Sequence, residues 1–247
     1  MEYLPDFFQE ILLENLKDGD LAKLSSESKY YDNIQFSKSK LNEMKDLLNL
    51  KEINIEKYNK IIKITDVISE KLNLYDSNIH SFEIFSGKIF PILEELNLRD
   101  NQISSFTGLS GKIFPNLEIL DLNDNNITSF QGLSGETFPK LIRLILNTNQ
   151  ITSFKGLSGK IFPNLEELYL NRNQITSFEG LSLIFPNLER LHLNYNQITS
   201  FEGLSGKIFP NLEKLSLQNN QITSFKGIPN NAFPNLKELI LNNNQIS

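Results

Sequence analysis

Phe162-Pro163-Asn164-Leu165-Glu166-Glu167-Leu168-Tyr169-Leu170-Asn171-Arg172-Asn173-Gln174-Ile175 is the stretch that decides the fold, because the chain writes it repeatedly. The Phe-Pro pair that opens it recurs with its phenylalanine at Phe90, Phe114, Phe138, Phe162, Phe185, Phe209 and Phe233, in steps of 24, 24, 24, 23, 24 and 24 residues. Behind each pair comes Leu-x-x-Leu-x-Leu-x-x-Asn-x-Ile. The Leu-x-Leu part alternates with period two, which predicts a short strand with both leucines inward and the residue between them outward. One such unit cannot bury its own leucines. Stacked units can, and each buried leucine contributes roughly 1.5–3 kcal/mol.

A period of roughly 20–29 residues with this pattern resembles the leucine-rich repeat family, over about residues 66–247. The resemblance implies an α/β solenoid: a parallel sheet on the concave face and short helical or 3-10 turns on the convex face. Seven close copies run from Phe90 to the end, and Leu72-Asn73-Leu74 with Ile79 keeps the same register one unit earlier. Ser77 replaces the asparagine in that unit. Leu50-Lys51-Glu52-Ile53-Asn54-Ile55 reads as a degenerate first strand, and irregular terminal units suit a capping role.

Three column types belong to the repeat itself. Asn101, Asn125, Asn149, Asn173, Asn196, Asn220 and Asn244 fill one, where an amide can serve backbone groups that the turn leaves unpaired. Phe82, Phe106, Phe130, Phe154, Phe178, Phe201 and Phe225 are expected to form one aromatic spine, and the Phe-Pro phenylalanines another. Gly108, Gly132, Gly156, Gly180, Gly203 and Gly227 suit tight turns. The one missing residue falls between Ser182 and Phe185, which marks the return half as the convex side. The chain stops in mid-repeat at Ser247, so an open last strand is expected there, to be covered by further chain, a partner or a second copy.

What varies between repeats is the outward set. Repeats three to five carry Arg143, Ile145, Tyr169, Arg172, Arg190, His192 and Tyr195, the aromatic and arginine types that interface hot spots favour. Glu95, Asp100, Asp121 and Asp124 precede them as an acidic flank. The expectation is a target-protein patch in the middle of the concave face. Asn171 stands among the positions able to carry information, with Glu167, Tyr169 and Arg172.

Ahead of the solenoid, residues 1–34 show helical spacing at Phe7, Phe8, Ile11, Leu12, Leu13 and Leu16. Asp18-Gly19-Asp20 breaks the run, and Asp20 suits an N-cap before Leu21 and Leu24. Leu4-Pro5-Asp6, Ile11-Leu12, Leu16, Asp20-Leu21, Leu24, Ser28-Lys29 and Tyr31 together resemble an F-box, with departures at Phe7, Glu27 and Tyr31. That resemblance implies a small all-α module that docks on the Skp-type adaptor of a cullin–RING (SCF-type) ubiquitin ligase, through Leu4, Pro5, Phe8, Leu12, Leu16, Leu21 and Leu24. The alternative is a plain scaffold whose N-terminal helices only cap the solenoid. Residues 35–65 read as a helical linker, with a helix around 38–49, followed by the degenerate first repeat.

Composition narrows the rest. The 247 residues carry a net charge of −6, which disfavours a nucleic-acid partner. There is no cysteine, so disulfides, thiol catalysis and thiolate metal sites are excluded. Met1-Glu2-Tyr3-Leu4 has no basic or apolar leader character, and no apolar run approaches membrane-spanning length. The reading is a cytoplasmic, non-catalytic recognition protein without a cofactor, working in a host cytosol if it is an effector. His80 and His192 are the only histidines, and neither has a partner set for catalysis.

Overall fold

A strand of three residues gains almost nothing alone, so the stacking of repeats has to do the work. The computed structural model describes residues 70–247, except 87–88, 110–112, 134–136, 158–159, 182–184, 205 and 207. The F-box-like segment 1–34, the linker 35–65 and the strand expected at Leu50–Ile55 lie outside the described residues. Eight strands follow in chain order: β1 Lys71–Asn73, β2 Glu95–Asn97, β3 Ile119–Asp121, β4 Arg143–Ile145, β5 Glu167–Tyr169, β6 Arg190–His192, β7 Lys214–Ser216 and β8 Glu238–Ile240. They form one parallel sheet in sequence order, and each leucine at the strand centre lies beside its counterpart in the next repeat. The unit at Leu72 keeps register as its sequence implies.

Below the sheet, the leucine wall is fully enclosed from Leu72 to Leu217. The two aromatic columns close the other side of the core. Phe106 stacks on Phe130 at 6.4 Å between ring centres, Phe154 on Phe178 at 5.9 Å, and Phe138 between Phe114 and Phe162 at 5.9 and 6.2 Å. The last repeat is the least covered. Phe225 is 51% exposed and the β8 leucine Leu239 is 39% exposed, because each has a described neighbour on one side only.

Two long series of backbone hydrogen bonds run from repeat to repeat. One series follows the sheet. The other runs along the segment after each turn, from Gln102 N to Ile79 O at 2.8 Å through Gln245 N to Ile222 O at 2.9 Å. Between the two series lies the asparagine column. Asn173 donates through Nδ2 to Leu146 O (2.9 Å) and Leu170 O (3.1 Å), while its Oδ1 accepts from Ile151 N (3.0 Å). The same set recurs around Asn101, Asn125, Asn149, Asn196 and Asn220. Leu146 and Ile151 belong to the preceding repeat, so each asparagine joins two repeats.

The return half is turn rather than helix among the described residues. Among the described residues, one 3-10 turn occurs, Phe82–Phe85, capped by Ser81. A further ladder runs here: Asn164 Nδ2 donates to Pro139 O at 2.8 Å and Asn187 Nδ2 to Pro163 O at 2.9 Å, with equivalents at Asn116, Asn211 and Asn235. Gly203 has φ +93°, and a Cβ there would stand 2.3 Å from Glu179 N of the previous repeat. Gly206 faces open space. Gly203→Ala is therefore expected to cost more than about 2 kcal/mol, from forbidden backbone and collision together, while Gly206→Ala stays within about 0.5 kcal/mol. Urea unfolding midpoints of the two variants measure the difference.

Candidate binding surface on the concave sheet

The first residue of each strand points into the concavity and meets its equivalents across neighbouring strands. In this row Glu167 is the centre. Arg143 Nε donates to its Oε2 at 2.6 Å and Arg190 to its Oε1 at 2.7 Å. The Tyr169 hydroxyl donates to Oε2 at 2.9 Å. Glu167 is only 8% exposed, whereas the two arginines keep roughly two-fifths of their side chains open. The third strand residues form the next row. Tyr169 and His192, paired in register, stack with ring centres 4.6 Å apart and planes 3° apart. Ile145 extends the row beside Tyr169, and Ser216, 1% exposed, continues it beside His192 to Ile240.

Two residues beyond each strand the structure corrects the sequence reading. Asn171 belongs to the frame. Its Oδ1 accepts from Asn194 N at 2.9 Å, Asn147 does the same for Asn171 N at 2.8 Å, and Asn123 for Asn147 N at 2.9 Å. In earlier repeats this N–H is served differently: Arg99 N donates to Asn97 Oδ1 and Asn123 N to Asp121 Oδ1, both within the same repeat. Once the asparagine ladder begins at Asn123, the third strand residue is released from that duty. That release is what lets Ile145, Tyr169 and His192 occupy it. The run of asparagines at 123, 147, 171 and 194 was the signal in the sequence.

The next position is left-handed in every repeat. Asp100, Asp124, Thr148, Arg172, Tyr195, Asn219 and Asn243 have φ between 54° and 58°. Asparagine and aspartate tolerate this conformation, but β-branched and bulky residues do not, at about 1–2 kcal/mol. Thr148, Arg172 and Tyr195 are the departures, in three consecutive repeats. The Arg172 guanidinium lies over the Tyr195 ring, 4.5 Å from its centre, and Tyr195 is 45% exposed. All seven residues expected in the target patch thus share one face of β4–β6 and their turns. Glu167, which holds three of them in place, stands among the positions able to carry information but outside the seven expected in the patch.

The repeat pattern also identifies the chain from outside. The family described as "Leucine Rich repeats (2 copies)" matches residues 91–135, 115–159, 139–183, 163–206 and 210–247. The chain belongs to the leucine-rich repeat family. Internalin C2 from Listeria monocytogenes str. 4b F2365 superposes with a TM-score of 0.52 at 24% identity, over 78% of this chain and 76% of the internalin chain. A chain of the TLR13–ssRNA13 complex gives 0.51 at 20% identity, over 93% of this chain but only 38% of its own length. Both likenesses concern the fold. No curated protein matches. Among the described residues, no cluster of His, Cys, Asp and Glu is arranged to hold a metal ion, and no helix is long and apolar enough to cross a membrane.

Charge distinguishes this leucine-rich repeat surface from its flank. Burial acts to raise the Glu167 carboxyl, but hydrogen bonds from Arg143 and Tyr169 and the charges of Arg143 and Arg190 outweigh it and hold the group below its ordinary value. Burial, then the Lys214 charge, pushes the His192 imidazole below the ordinary 6.5, so its stack on Tyr169 is neutral at pH 7. On the flank, Arg99 sits between Asp100 and Asp124 at 3.3 Å from each, and burial raises the Asp121 carboxyl.

Two measurements follow from this geometry. Thr148→Asn suits the left-handed turn and is expected to raise unfolding stability by about 0.5–1 kcal/mol, read by urea denaturation. A depressed histidine binds its proton more readily in the unfolded chain, so stability is full above pH 6.5 and falls as pH drops from 6.5 toward the folded value. Glu167 adds a second loss below its ordinary 4.5. His192→Gln should flatten the upper limb of the stability–pH curve and leave the acid limb in place.

Proposed function

We propose that this chain is a non-catalytic recognition protein whose concave sheet holds a target protein at Arg143, Ile145, Tyr169, Arg172, Arg190, His192 and Tyr195. The observation that carries this reading is the use of strained backbone. Three adjacent repeats place Thr148, Arg172 and Tyr195 where Asn or Asp would be more stable, and two of the three build an exposed cation–aromatic pair. Backbone strain of this kind concentrates where surfaces do work. A structural role does not account for it, because the neighbouring repeats satisfy the same turn with Asp124 and Asn219.

The finer reading is that of a substrate receptor of a cullin–RING ligase in the cytoplasm. Its support is the F-box-like run from Leu4 to Tyr31 in front of a binding solenoid. In this reading Leu4, Pro5, Phe8, Leu12, Leu16, Leu21 and Leu24 contact the Skp-type adaptor. The concave face presents the target for ubiquitin transfer by the rest of the ligase.

Co-purification with the adaptor is expected for the wild type and lost in Leu4→Ala with Pro5→Ala. An unchanged complex in the double variant rejects the adaptor role and leaves a scaffold with N-terminal capping helices. Independently, Tyr169→Ala with His192→Ala should abolish recovery of the target in affinity purification while the fold, read by circular dichroism, is kept. Full recovery by that variant places binding elsewhere.

A further inference from the structure

The patch is not electrically uniform, and its pattern specifies the kind of partner. The outward rows of β4–β6 and their turns carry Arg143, Arg172 and Arg190 against the carboxylate of Glu167, with Glu189 3.8 Å from Arg190 at the edge. This is a local cationic excess on a chain of net charge −6. Arg143 and Arg190 are occupied by Glu167. Arg172 differs. Among the described residues it has no ion pair, and its guanidinium lies over the exposed Tyr195 ring, 4.5 Å from the ring centre. A planar guanidinium fixed in this way is a ready receiver for a carboxylate, which it can bind through two parallel hydrogen bonds. Beside it, the Tyr169–His192 stack gives a flat, uncharged floor.

The neighbouring surface has the opposite sign. Asp76, Asp100 and Asp124 occupy the position equivalent to Arg172 in the three repeats of β1–β3, and Asp121 occupies the position equivalent to Tyr169. Arg99 serves both Asp100 and Asp124 and leaves an acidic excess. A partner acidic throughout would be repelled there, and one basic throughout would be repelled at Arg172.

We infer that the partner is a protein segment of split charge, with an Asp or Glu on Arg172 and a Lys or Arg over Asp100, Asp121 and Asp124. This rests on the reading of the patch as a protein-docking surface. Three strand spacings separate the repeats of Asp100 and Arg172, about 14 Å, or about four residues of extended chain. An RNA or DNA strand fits poorly, because its phosphates would have to cross the acidic flank.

A random peptide display library selected on the full chain tests this directly. Enriched peptides should carry an acidic residue with a basic one about four positions away, and their affinity should fall about tenfold or more in Arg172→Glu. Arg172→Asn, which suits the left-handed turn, should weaken them as well. Peptides that depend on Tyr169 and His192, lost in the double alanine variant, yet lack the charge pattern or ignore Arg172→Glu overturn the split-charge partner alone. Peptides indifferent to that double variant overturn the docking reading beneath it. No enrichment over bait-free selection overturns both. Displacement of enriched peptides by a uridine oligonucleotide at equal concentration would transfer the site to nucleic acid.

Discussion

Everything in this solenoid depends on one amide. Each turn out of the sheet breaks the backbone ladder between repeats, and the groups it orphans lie in the core where no water reaches them. An unsatisfied buried group costs about 1–3 kcal/mol, and one turn contains several. The asparagine at Asn101 and its equivalents answers three of them with a single side chain, giving to carbonyls of its own and the preceding repeat and accepting an N–H of the preceding one. Because the bonds cross the boundary, the same contacts that satisfy a turn also set the register between repeats. Leucine and phenylalanine burial supplies most of the favourable free energy, but it is indifferent to small slips. Directional bonds are not.

A frame this repetitive leaves few places for individuality, and the structure shows how one opened. As long as Asn97 or Asp121 has to cap the turn of its own repeat, the centre of the concave face is bound to a small polar residue. The second asparagine ladder, starting at Asn123, moves that task to the neighbouring repeat. Bulky side chains then become possible on the strand, and they appear at once as Ile145, Tyr169 and His192. The site is a by-product of a redundancy in how the backbone is satisfied.

Its electrostatics are organised the same way. Glu167 is nearly buried on the outward face of the sheet, which desolvation alone would penalise. Three donors surround it and keep it ionised, and in return it fixes the positions of Arg143, Arg190 and Tyr169. Preorganised side chains lose less entropy when a partner arrives. Arg172 achieves similar rigidity by stacking on Tyr195 instead, and so keeps its charge available.

The sequence by itself determined the solenoid: the repeat period, the strand positions, the inward leucines, the structural asparagine column and the variable face could all be read from one chain. Those features follow from period and polarity, which are local and recur. The F-box resemblance at Leu4–Tyr31 is likewise a reading of sequence pattern. Only the tertiary structure decided what depends on neighbours 23 or 24 residues away. Asn171 reads as a surface residue until its acceptor is seen serving the next repeat. Glu167 reads as a variable outward residue, and only the structure shows two arginines and a tyrosine closing on it. Phe225 reads as a spine member and stacks on Phe201, but its 51% exposure, with a described ring on one side only, appears only in the structure. Thr148, Arg172 and Tyr195 look ordinary until their left-handed backbone appears, since side-chain identity does not reveal φ when the frame, not the residue, imposes it.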